Sequence, residues 1–162
     1  MADEIERSIA RWRAQRPALD TVPLALSARV IRSARLLEIG RREALAARDL
    51  EVWEFDVLAA LRASGSDQQL SPSALMAATQ VASGTVTNRI DRLLQRGFVS
   101  REPDPDDRRS TLVRLTVAGR RRIDAAAAEL ASAERLTWEA LPARKRDQLS
   151  ALLREFLHQV EG

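Results

Sequence analysis

The segment from Ser71 to Leu115 constrains the fold more than any other part of the chain. Ser71-Pro72 opens a short helical pattern that runs to about Thr79, with a hydroxyl at the cap and proline at the first position. Only Gln80-Val81-Ala82 separates it from a second pattern, capped by Ser83 and stopped at Gly97. Two alternating runs follow, Phe98–Glu102 and Thr111–Leu115, joined by the polar turn Pro103-Asp-Pro-Asp-Asp-Arg-Arg-Ser110. Two helices of this length joined by so short a turn form a helix-turn-helix. A hairpin directly behind it makes a winged helix.

The remainder reads as helix, apart from a loop at Ser66-Asp67-Gln68-Gln69. Ile5 to about Arg16 is a short helix ended by Pro17. Thr21 caps a long one, with Pro23 in its first turn, which runs to about Arg48 and carries Leu26, Val30, Ala34 and Leu37 on one stripe. Asp49 caps a third, with Leu50, Trp53, Val57, Leu58 and Leu61 inward and a stop at Ser64-Gly65. Thr116 caps an Ala-rich helix to about Ala140, and Pro142 starts the last, whose stripe is Leu149, Leu152, Leu153, Phe156, Leu157 and Val160. The expected fold is therefore mainly α with a small β-hairpin wing, one domain over residues 1–162. Its winged core spans about residues 50–116, flanked by dimerisation helices at about 5–48 and 117–160. So strong a terminal stripe needs a partner surface; ordinary packing within the chain is the alternative to a homodimer.

Composition removes whole classes of function. There is no cysteine and a single histidine, His158, so one chain builds neither a disulfide framework nor a Cys/His zinc site. No Gly-x-Ser-x-Gly, P-loop or Gly-x-Gly-x-x-Gly motif is present. The expectation is a non-enzyme without cofactor or metal. The start, Met1-Ala-Asp-Glu-Ile-Glu-Arg7, is unlike a secretory signal, and no apolar run approaches the 18 or so residues of a membrane span. A soluble cytoplasmic protein with no membrane partner is expected.

The net charge of +3 conceals its distribution. Ser83–Arg122 holds ten arginines against five carboxylates, while the remainder holds 16 basic and 18 acidic residues. That segment is the electrostatic footprint of a double-stranded DNA contact. On a helical wheel Val86, Ile90, Leu93 and Leu94 face inward; Thr85, Asn88, Arg92 and Arg96 face away, and Thr87 lies at the apolar edge. Asn and Arg suit bidentate contacts to base edges in the major groove. Ser83, Thr85 and Thr87 near the helix start suit phosphates or bases. An ordinary amphipathic surface helix is the plainer reading. At the hairpin tip Asp107-Arg108-Arg109 exposes arginines that can enter a minor groove, with Asp106 or Asp107 orienting one of them by a charge-assisted fork. A solvated turn is the alternative there.

Taken together, Ser71-Pro-Ser-Ala-Leu-Met, Ser83-Gly-Thr-Val-Thr-Asn-Arg-Ile-Asp-Arg-Leu, Arg96-Gly-Phe-Val, Asp104-Pro-Asp-Asp-Arg-Arg-Ser110 and Leu115-Thr resemble the MarR family of bacterial transcription regulators. The resemblance is close from Leu50 to about Gly119. It implies a homodimer on a palindromic operator, joined through the first and last helices, usually a repressor. Asp107 and Arg109 match that family's wing Asp-x-Arg. A narrower resemblance is to the urate-responsive PecS-like branch, through Trp12-Arg-Ala-Gln-Arg-Pro-Ala-Leu-Asp20, Glu54-Phe-Asp56-Val-Leu and Thr87-Asn-Arg89-Ile-Asp-Arg-Leu. It implies a ligand site made by Trp12, Asp56 and Arg89. This chain departs from that branch at Ala18, where an acid is common.

On the wheel Arg89 sits about 80° from the inward centre, where it can bond a ligand or a phosphate. Asp56 flanks an apolar stripe and wants a partner, and Trp12 can stack on a planar ring. A packed tryptophan with a structural Asp–Arg pair is the other reading. The expected mechanism is release from DNA by a small anionic or aromatic ligand, such as urate, another organic acid or a phenol. A winged helix that binds only proteins is the rival class.

Overall fold

The computed structural model describes residues 4–105 and 110–162. Its elements are α1 (Glu4–Gln15), α2 (Val22–Ala46), α3 (Val52–Ala63), β1 (Gln69–Leu70), α4 (Pro72–Thr79), α5 (Ser83–Gln95), β2 (Val99–Pro103), β3 (Thr111–Leu115), α6 (Val117–Trp138) and α7 (Ala143–Glu161). Contacts divide the chain into two units, Met1–Gly40 and Arg41–Gly162.

In the first unit Ile9 and Ala25 are buried, and ion pairs of 2.7 Å join Arg29 to Glu6 and Arg32 to Glu4. The start of α2 falls where the Thr21–Pro23 signal places it, but the capping side chain differs. Asp20 Oδ1 accepts the Val22 N–H at 3.0 Å, while the buried Thr21 hydroxyl accepts from Arg13 Nε at 2.8 Å. The stripe expected to face inward is open in the single chain, with Leu26 64% and Val30 47% exposed.

The second unit holds the main core, centred on Leu45, Leu58, Leu61, Leu75, Ile90, Leu93, Val113 and Ile123. Asp49 does not cap α3. It terminates α2 in a left-handed conformation (φ 52°), with the paired bonds Leu50 N–H to Leu45 O and Asp49 N–H to Ala46 O of a Schellman ending. Burial of Leu50 drives this, and α3 begins two residues later behind Glu51. Ser71 and Thr116 cap as expected, accepting the backbone N–H of Ala74 and Gly119. Ala82, not Ser83, occupies the cap of α5, so that helix start has no side-chain cap. The expected loop at Gln69 contributes β1, which gives a three-stranded antiparallel sheet of order β1-β3-β2. Two residues are too few to show alternation in a sequence.

The wing is fastened to the end of α5. Gly97, at φ 68°, ends α5, and Thr116 then bonds back twice: its N–H to Phe98 O at 3.1 Å and its hydroxyl to Gly97 O at 2.8 Å. Gly119 of α6 lies so close that a Cβ would stand 2.0 Å from Phe98 O. Gly119→Ala is therefore expected to destabilise the protein. The helix-propensity gain of ~1 kcal/mol is outweighed by overpacking of about 1–3 kcal/mol or more, because the obstructing atom is backbone. A thermal melt compared with wild type checks this; an unchanged or raised midpoint would contradict the tight crossing.

Candidate functional site

Helix α5 buries Val86, Ile90 and Leu93, which leaves Ser83, Thr85, Thr87, Asn88 and Arg92 exposed on its other side and Arg89 half-buried at the border. Its first turn carries no acidic residue. With no side chain capping it, the first backbone N–H groups and the helix dipole face outward, a ready anion site. A Cβ on Gly84 would meet nothing within 4 Å, so the approach to this turn is open.

Trp53 and Glu51, at the start of α3, belong to the same surface. The guanidinium carbons of Arg92 and Arg89 stand 4.7 and 5.6 Å from the centre of the Trp53 ring. Such cation–π contacts contribute roughly 0.5–1 kcal/mol each at exposed sites. Glu51 Oε2 accepts the indole N–H at 2.6 Å, and Oε1 accepts from Arg92 Nη2 at 2.9 Å. The indole N–H holds the Glu51 carboxyl below the ordinary glutamate range; slight desolvation opposes this, and Arg92 adds to it. Trp53, Gly84, Thr85, Asn88, Arg89 and Arg92 line one shallow cleft. Sequence reasoning turned Trp53 inward and passed over Glu51 because it began α3 two residues early.

Arg96, expected on the outward face, turns into the body of the unit. Its Nη1 donates to both oxygens of Glu54, at 2.8 and 2.7 Å, and its Nη2 reaches the Asp49 carbonyl and carboxylate. The guanidinium also stacks on Phe98 at 4.7 Å, with Arg122 over the same ring at 5.3 Å. Burial opposes its charge, but Glu54 and Asp49 outweigh it and hold the guanidinium protonated. Glu54 is 1% exposed and also accepts the Glu51 N–H at 2.9 Å.

Other arginines of the basic segment are also paired: Arg101 with Asp91 at 2.8 Å and Arg114 with Glu102 at 3.3 Å. Arg120 and Arg121 are exposed and have no ion-pair partner among the described residues. The wing residues Asp107, Arg108 and Arg109 lie outside the described residues.

The three residues implied as a ligand site have these surroundings. Trp12, in the first unit, is 51% exposed and lines a cleft with Ser8, Arg11 and Gln15. Asp56 pairs with Arg41 at 2.7 Å, and Arg41 stacks over Phe55 at 5.0 Å. This pair lines a cleft that reaches Ala60, Leu70 and the helix-turn-helix residue Gln80. Arg89 faces the Trp53 cleft instead. The counter-ion of Asp56 is thus Arg41, a partner in the last turns of α2 that sequence reasoning did not identify.

Helix α7 fully buries none of its residues; Leu152, Phe156 and Val160 are 64%, 59% and 67% exposed. Among the described residues no helix is long and apolar enough to cross a membrane.

Residues 48–110 match the profile of the MarR family. Over 150 residues, covering 93% of this chain and 90% of the relative, the sequence is 32% identical to the HTH-type transcriptional regulator PecS of Dickeya dadantii. The fold is similar to that of an Escherichia coli MarR mutant complexed with operator DNA. There the TM-score is 0.71 at 27% identity, covering 84% of this chain and 94% of that one. It is also similar to Bordetella bronchiseptica BpsR, whose DNA binding is regulated by 6-hydroxynicotinic acid. That match has a TM-score of 0.69 at 27% identity and covers 80% of this chain and 91% of that one.

Proposed function

This chain belongs to the MarR family of transcription regulators, which are not enzymes, and on that premise we propose that it binds a palindromic operator in double-stranded DNA as a homodimer, represses from it, and is released by a small planar anion. The outward face of α5 carries this reading: Thr85, Asn88 and Arg92 exposed beside an uncapped, acid-free first turn. Ser83 and Thr87 supply further contacts there, and the wing residues Asp107, Arg108 and Arg109 reach the adjacent minor groove. Two such helices in a dimer fall on successive major grooves at roughly 34 Å. The exposed apolar face of α7 supports the dimer. Selection from random duplexes, followed by binding over a salt series, tests the reading. A preferred palindrome whose affinity falls steeply with salt is expected; no preference for any duplex would refute it.

The proposed ligand residues are Asp56, Arg89 and Trp12. The Arg41–Asp56 pair supports this, because an anion approaching Arg41 competes with the Asp56 carboxylate. The cleft beside that pair also touches the turn between α4 and α5, so occupancy there can bias the attitude of α5. A ligand that prefers the non-binding state by only ~1.4 kcal/mol shifts operator affinity about tenfold. Urate, xanthine, hypoxanthine, aconitate, salicylate and 6-hydroxynicotinate form the panel to score for operator release. Asp56→Asn is expected to leave operator recognition in place while shifting the releasing concentration about tenfold. A normal response in that variant would remove Asp56 from the sensor.

A further inference from the structure

Both α5 arginines nearest the putative base edges rest on one residue outside α5. Arg89 and Arg92 are one helical turn apart, and both guanidinia lie over Trp53. A guanidinium stacked on an aromatic face keeps its in-plane N–H edge available for a fork to phosphate or guanine. The stacked side chain has also surrendered rotamer freedom that it would otherwise lose on binding. The indole is itself held, since its N–H is bonded to Glu51. The other oxygen of the same carboxylate occupies an Arg92 N–H, on the rim of a cleft that Thr85 and Asn88 also line.

We propose that Trp53 and Glu51 are positioning residues of the DNA-contacting surface: the indole pre-orients Arg89 and Arg92, and the Glu51 carboxylate competes with DNA for Arg92. The inference rests on α5 being the helix that reads DNA. The two residues act with opposite sign. Trp53 favours the DNA whose edges match the orientation it imposes. Glu51 places a negative charge beside the phosphates of any duplex, and its bond to Arg92 is given up when DNA takes its place. That charge persists at neutral pH because the indole N–H keeps the carboxyl ionised.

The test measures affinity by fluorescence anisotropy for the selected operator and for a random duplex of equal length, at fixed salt. Trp53→Leu keeps apolar bulk without the aromatic face; it is expected to weaken operator binding about tenfold and random-duplex binding much less, so that discrimination falls. Trp53→Phe retains a stacking face and is expected to restore most of that discrimination. Glu51→Gln still accepts the indole N–H but loses its charge; affinity for both duplexes is expected to rise, by about threefold or more. Thermal melts run alongside separate folding from binding. Equal weakening on both duplexes in step with a lowered melting point would reduce Trp53 to a structural role and overturn the proposal. So would unchanged discrimination in Trp53→Leu, or unchanged affinity in Glu51→Gln. Wild-type protein that prefers no duplex would instead overturn the reading of α5 itself.

Discussion

Arg96→Ala is expected to remove about 3–5 kcal/mol of folding stability, the cost of leaving a buried carboxylate without its counter-charge. Glu54 is 1% exposed, and both of its oxygens receive Arg96, with only the Glu51 N–H as a further donor. The same arginine ties the end of α5 to the left-handed break at Asp49 and covers Phe98. One alanine therefore strands a charge, frees a helix end and uncovers a ring. Against a typical domain stability of about 5–15 kcal/mol, that brings the protein near its unfolding threshold. Urea denaturation measures it. The double replacement Arg96→Met with Glu54→Leu is expected to be more stable than Arg96→Ala alone, because it removes both charges together. Should Arg96→Ala fall within about 1 kcal/mol of wild type, Glu54 is not sealed from water as the structure places it.

The second large effect is on assembly. Phe156→Glu with Val160→Lys is expected to leave the chain folded but monomeric, with operator affinity lower by about two orders of magnitude or more. Neither side chain is buried within the chain, so the monomer loses little core. The new charges are spaced i, i+4 and pair along the helix instead of melting it. The loss on DNA follows from giving up two linked half-sites, where the second contact forms at high effective concentration. Light scattering reads the mass and anisotropy reads the affinity. A variant that remains dimeric would move the interface away from α7. A monomer that binds the palindrome as tightly as wild type would show that a single reading helix suffices.

The helix-turn-helix and wing were legible because their signals are local. Ser71, Gly97 and Thr116 each act within a few residues, and the caps at Ser71 and Thr116 and the stop at Gly97 stand where the sequence puts them. Arg96 was not legible. A helical wheel treats a side chain as a radial spoke, whereas this one folds back to partners 42 and 47 positions away. The position of Asp49 depends on the burial of Leu50, which follows from the tertiary core and not from its neighbours. An error of two residues there rotated Trp53 out of the functional surface. The +5 of the Ser83–Arg122 segment misled in a related way. Carboxylates from outside the segment, Glu51, Glu54 and Asp49, neutralise part of it. The charge offered to DNA is set by which arginines remain unpaired.

The bonds from Thr116 back to Gly97 and Phe98, with Gly119 pressed against the same carbonyl, make α5 and the wing strands a single body without an internal hinge. In the proposed dimer such a body cannot stretch to follow its target. An operator lengthened by one or two base pairs between its halves would find each half rotated out of phase, with nothing inside either head to absorb the turn. Tolerance of spacer length then reports only on the joint between the two protomers. The same rigidity makes the head transferable: changes confined to the exposed positions of α5 can retarget the sequence it prefers while leaving its mounting untouched.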